Sequence, residues 1–105
     1  MSYRLTVYCS ACNYPKGSRN TKIGATATAG LTVAVNKSLY ANYKGRRIHL
    51  YVYDDDGNIL CEHLPYIQDI HGNSNDVIDL YIGEYEGCPC NSHPWSGKRC
   101  DFELL

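Results

Sequence analysis

The sequence predicts an all-β fold, a barrel or a sandwich, from three observations. Short stretches alternate apolar and polar residues, as in Arg47-Ile48-His49-Leu50-Tyr51-Val52-Tyr53 and Val77-Ile78-Asp79-Leu80-Tyr81-Ile82. Turn residues separate such stretches, most clearly Asp54-Asp55-Asp56-Gly57-Asn58. No segment sustains a helical period over about ten residues or more. At 105 residues the chain is one domain by length and can bury a core without staples.

Leu5-Thr6-Val7-Tyr8 is the first β-type run and ends at Cys9-Ser10-Ala11-Cys12. Asn13 to Lys22 reads as loop, with Pro15, Gly17, Ser18 and Asn20 as breakers. Gly24 to Gly30 is small and Thr-rich like a phosphate loop, but lacks the Gly-Lys-Ser/Thr ending that would hold a phosphate. Leu31-Thr32-Val33-Ala34-Val35 is the next strand, with Leu31, Val33 and Val35 on one face. Asn36 to Gly45 reads as a polar connection. In Arg47–Tyr53, Ile48, Leu50 and Val52 point inward and His49, Tyr51 and Tyr53 outward. Asp-Gly before the returning Ile59-Leu60-Cys61-Glu62-His63-Leu64 is a hairpin signal. A calcium loop would need its glycine and closing glutamate at other positions, so the three aspartates read as a turn. Val77–Ile82 and Arg99–Leu105 are the last strands. Ile78, Leu80 and Ile82 join the inner set.

The net charge is −1, and Arg46-Arg47 is too small for a basic patch, so nucleic acid is not an expected partner. No run approaches the apolar length of a membrane span, so a membrane is not expected either. Met1-Ser2-Tyr3-Arg4-Leu5 has no basic region followed by an apolar stretch, so no signal peptide is expected. Ten tyrosines stand against one Phe and one Trp, a balance suited to half-exposed strands and to sugar- or partner-facing surfaces.

The stretch from Ile67 to Tyr81 carries the candidate chemistry. Asp69 follows the strand-like Tyr66-Ile67-Gln68 and opens a Gly/Asn loop. Asp79 lies within a strand, on the face of Val77 and Tyr81. The His71–Asp76 loop is short enough to bring the two carboxylates together as an acid–base site. An ordinary loop with a solvated aspartate at each end fits the same residues.

In this order the chain resembles the three-aspartate (3D) domain, a six-stranded double-psi β-barrel. That domain is related to membrane-bound lytic transglycosylase A and to the muralytic stationary-phase-survival proteins. The resemblance rests on Thr6-Val7-Tyr8-Cys9, Thr28-Ala29-Gly30 and Val33-Ala34-Val35-Asn36. It continues through Asp69 to Ile78-Asp79-Leu80-Tyr81 and closes with Trp95-Ser96-Gly97-Lys98-Arg99. Asn36 stands where the family has its first aspartate, and Ile70-His71-Gly72 where it has Thr-Gly-Gly. Leu39-Tyr40-Ala41-Asn42 replaces its Ile-Pro-Leu-Gly.

The resemblance implies cleavage of the peptidoglycan glycan strand, with Asp69 as catalytic acid/base and Asp79 as the supporting aspartate. Such an acid works when burial and a neighbouring carboxylate raise its pKa. The resulting carboxylate then deprotonates the muramyl 6-hydroxyl, so no second nucleophile and no cofactor is required. Asn36, His71, Tyr81 and Trp95 are the candidate substrate contacts, and Tyr51 and Tyr53 can stack on sugars.

Six cysteines include Cys9-x2-Cys12 and Cys88-x-Cys90, which meet if the chain ends meet. Together these four make a candidate tetrahedral zinc site; disulfides and unlinked thiols are the alternatives. The expected reading is a phage-encoded wall-lytic domain, found in the cytoplasm of the infected host and then in the virion or released at lysis. The alternative is a non-catalytic barrel, a structural or glycan-binding module that contacts other phage structural proteins.

Overall fold

The computed structural model describes residues 2–12, 18–72 and 74–105. The loop reading of 13–17, and Asn73 in the carboxylate loop, lie outside the described residues. The fold is mostly β, as expected. Its strands are β1 (Tyr3–Tyr8), β2 (Thr32–Val35), β3 (Ile48–Tyr53), β4 (Ile59–His63), β5 (Tyr66–Ile70), β6 (Val77–Tyr81) and β7 (Arg99–Leu104). Among the described residues, one helix, α1 (Lys37–Tyr43), and two short 3-10 turns, Ser10–Cys12 and Cys90–Ser92, accompany them. Among the described residues, no helix is long and apolar enough to cross a membrane.

The seven strands form one mixed sheet in the order β4-β3-β7-β1-β6-β2-β5. β1 with β6 and β2 with β5 are parallel; the other neighbours are antiparallel. The sequence reading expects six strands, and β5 is the addition. From Ile59 to Ile70 the chain reads as nearly continuous strand, and only Leu64-Pro65 divides it. Proline has no N–H for a ladder, so the chain leaves β3 there and continues beside β2. An isolated bridge joins Arg47 to Tyr66. Beside it, Ile48 N–H donates to Pro65 O at 2.9 Å and Ile67 N–H to Arg46 O at 2.9 Å. The entrance of β3 thus touches the entrance of β5 at the far end of the sheet order.

Alternation places the core as expected in β3, where Ile48, Leu50 and Val52 are fully buried and the residues between are half-buried. β6 is buried on both faces at its two ends: Val77 and Tyr81 are as inaccessible as Ile78 and Leu80, Tyr81 being packed with Tyr8, Ala27 and Ala34, while Asp79 between them is half-buried. Ile82 lies just past the strand and is half-buried against the core. Leu31 departs from the expected inner face. Its N–H donates to Thr28 O in a turn before β2, and its side chain is 40% exposed.

The Asp54–Asn58 turn forms the expected hairpin between β3 and β4. One Asp54 carboxylate oxygen accepts from Asp56 N–H and Asn58 N–H, both at 2.9 Å. Gly57 supplies the left-handed φ of +87°. The polar connection after Asn36 instead contains α1. Asn36 Oδ1 accepts from Leu39 N–H at 2.9 Å, and Asn36 O from Tyr40 N–H at 3.0 Å, which caps the helix. Two turns are too short to display a period, and burial of Tyr40 holds the helix where propensity would not.

Candidate active site

The register of four strands builds the site. Ala34 on β2 is opposite Asp69 of β5 on one side and Asp79 of β6 on the other. Asp79 is in turn opposite Thr6 of β1. Directly opposed residues project from the same face of a sheet. Asp69, Ala34, Asp79 and Thr6 therefore form a row across β5, β2, β6 and β1. All four line a cleft of about 570 Å³, with Tyr8, His71 and the cysteine segment among its other walls.

A bulge aims Asp69. Val33 pairs with Ile67, but the next residue, Ala34, pairs with Asp69, so Gln68 is an extra residue in β5. Without it, Asp69 would share the face of the fully buried Ile67. Gln68 is held aside by Thr32 Oγ1–H, which donates to its Oε1 at 2.7 Å. Asp69 Oδ1 accepts from Lys22 N–H and Ile70 N–H, both at 3.0 Å.

Asp79 Oδ1 accepts from Thr6 Oγ1–H at 2.8 Å. Burial pushes the Asp79 carboxyl up to about 6; the Thr6 bond and the nearby His71 pull it down, and the Asp69 charge pushes it up further. His71 Nε2 donates to Val77 O at 2.7 Å, which sets its tautomer and ties the loop to the base of β6. Tyr8 also lines the cleft. Among the described residues its hydroxyl is buried without a hydrogen-bond partner, and burial holds the phenol well above its usual range.

The structure thus brings Asp69, Asp79 and His71 together. The other three candidate substrate contacts lie elsewhere. Asn36 is buried and committed to capping α1, and its Nδ2–H donates to Asn75 O at 2.8 Å. Tyr81 is fully buried and packs edge-on against Tyr8 at 5.2 Å between ring centroids, so no sugar reaches it. Trp95 lines a separate niche of about 320 Å³ with His63, His93 and Tyr85. Tyr51 and Tyr53 line another groove, beside Phe102. Thr6 and Tyr8 escaped the sequence reading. Their signal was the alternation of β1, which sets both opposite the buried Leu5 and Val7.

The sulfur atoms of Cys9, Cys12, Cys88 and Cys90 all lie within 4.8 Å of one another, close enough to hold a metal ion. Cys12 and Cys88 are joined by a disulfide, and Cys9 and Cys90 are free. Cys12, Cys88 and Cys90 also line the cleft. Burial pushes the Cys100 thiol up to about 12, so it is no activated nucleophile. No protein-family model and no curated protein matches the chain.

Proposed function

We propose that the protein cleaves the peptidoglycan glycan strand by lytic transglycosylation, with the proton carried in the β5-β2-β6-β1 cleft. The observation that carries this reading is the Asp79 carboxyl, walled into a cleft beside Asp69 with its proton held to about 6. The sequence reading gives the acid/base role to Asp69. The arrangement favours Asp79, because Asp69 is engaged by two backbone N–H groups while Asp79 is tuned by burial. Protonated Asp79 gives its proton to the glycosidic oxygen. The carboxylate left behind takes the proton of the muramyl 6-hydroxyl as that oxygen closes on the anomeric carbon. Thr6 orients Asp79, and Asp69 supplies charge to the developing oxocarbenium ion. Zinc, if held by Cys9, Cys12, Cys88 and Cys90, would brace the cleft wall and would not act on substrate, since four sulfur ligands would leave no coordination position open.

The six-stranded double-psi barrel of the three-aspartate domain is part of the proposal. The parallel pairs β1/β6 and β2/β5 support it, as does the Arg47–Tyr66 bridge. That bridge would close β3-β7-β1-β6-β2-β5 into a ring with β4 as an outer flap.

The test is digestion of purified peptidoglycan with mass analysis of the fragments. Wild type is expected to release anhydro-muropeptides, and Asp79→Asn to lose roughly 100- to 10,000-fold in rate, with Asp69→Asn retaining more. Wild-type turnover in Asp79→Asn would overturn the assignment. A second reading, a glycan-binding or structural module of a phage particle, is favoured by Asn36, which caps α1 and brings no carboxylate to the cleft. Binding to walls of several bacteria without release would select it.

A further inference from the structure

We propose that Cys9, Cys12, Cys88 and Cys90 form a tetrathiolate zinc site that pins the β6–β7 connection to the end of β1. The Cys12–Cys88 disulfide is then the oxidised, metal-free state of the same cluster. This inference concerns metal content and does not depend on the glycan reading.

The geometry is near that of a loaded site. Zinc–thiolate bonds of about 2.3 Å in a tetrahedron separate the sulfurs by about 3.8 Å. Here Cys12 Sγ lies 3.4 Å from Cys9 Sγ and 3.3 Å from Cys90 Sγ, and no pair exceeds 4.8 Å. Reduction of the Cys12–Cys88 disulfide, separation of its two sulfurs and shifts of up to about 1 Å in the other pairs complete the cage. The donor set is all sulfur, which selects a thiophilic ion over calcium or magnesium.

The backbone holds the halves together independently of the sulfurs. Cys12 N–H donates to Cys9 O at 3.0 Å, which folds the first pair into a 3-10 turn. Ser10 N–H donates to Gly83 O at 3.1 Å, and Tyr85 N–H to Ser10 Oγ at 3.2 Å, which anchors the segment bearing the second pair. Two ligands are buried and two exposed, which gives the ion a route in from solvent.

The exposed pair is the one that oxidises. A small disulfide such as oxidised glutathione takes two electrons from the Cys12 and Cys88 thiolates. Their S–S bond forms as the oxidant's breaks, and its two released thiolates take protons from solvent. Zinc, left with only Cys9 and Cys90, dissociates. A reducing compartment keeps the zinc form.

The experiment is metal analysis of the full chain, produced under reducing conditions with zinc and purified without chelator. About one zinc per chain is expected in wild type and in Cys61→Ser, and its loss in Cys12→Ser and Cys88→Ser. Oxidised glutathione should release the zinc and yield a Cys12–Cys88 cross-linked peptide. Should the serine variants fail to fold, cobalt titration of the reduced wild type decides. Intense bands of tetrahedral sulfur ligation are expected, and weak octahedral bands overturn the site. Reduced, folded protein that takes up no zinc, folded serine variants that bind it like wild type, or iron in its place would each overturn the proposal.

Discussion

Asp69 and Asp79 lie on strands that do not pair with each other, yet both stand opposite Ala34. Two strand spacings place their backbones about 10 Å apart. The residue between them in the register is Ala34, buried against Tyr8 and Tyr81. Ala34→Leu should push a larger side chain into the cleft wall. We expect loss of glycan release with the fold retained, at a stability cost of about 1–3 kcal/mol from overpacking against Tyr8 and Tyr81. Release assays paired with thermal unfolding check this; unchanged turnover would mean that substrate does not bridge the two aspartates.

The Asp79 carboxyl gives stability a pH dependence that needs no substrate to detect. Its pKa is raised from 3.8 to about 6 on folding, so the folded state binds its proton more tightly than the unfolded chain does. The stabilisation is complete below about pH 4 and is lost as the pH rises through about 6. The shift corresponds to roughly 3 kcal/mol. Asp79→Asn should remove this slope, and the variant should match or exceed wild type in urea unfolding at neutral pH. A wild-type profile flat from pH 4 to 7 would contradict it.

Asn36 ties the start of α1 to the loop between β5 and β6. Asn36→Ala loses the helix cap and leaves Asn75 O without its donor, a cost of about 1–3 kcal/mol. Asn36→Asp keeps the capping oxygen but turns the Asn75 contact from donor–acceptor into acceptor–acceptor. We expect it to loosen the carboxylate loop and to lower turnover. Hydrogen exchange across 71–76 measures the loosening, and slower exchange in Asn36→Asp would refute it.

The two leucines at positions 60 and 80 separate core from edge. Leu80→Ala empties a fully buried site flanked by Val7 and Val33 and should cost about 2–5 kcal/mol. Leu60 is 43% exposed on the edge strand β4, and Leu60→Ala should stay within about 0.5 kcal/mol. Chemical denaturation of the pair checks the ranking.

Much of the interior was legible in the residues. Alternation in β3 and β6 identified Ile48, Leu50, Val52, Ile78 and Leu80 as core, because side-chain direction in a strand is a local property. Asp54 to Asn58 marked its own turn for the same reason. The two short cysteine pairs were expected to meet, and they do.

Other features depended on pairing between distant segments. α1 is two turns long and held by its cap and by Tyr40, so no period announces it. Tyr81 follows the same alternation as Asp79, yet one is sealed and the other opens on the cleft, because cover over the face of β6 differs along its length. The sequence by itself determined the inward residues of β3, with Ile78 and Leu80 of β6, and that two aspartates flank one short loop. Only the tertiary structure decided that Thr6, 73 positions from Asp79, would hydrogen-bond it, and that the Gln68 bulge would turn Asp69 onto the same face. Register between parallel strands is set by the packing of the whole sheet, and no local pattern in either strand encodes it.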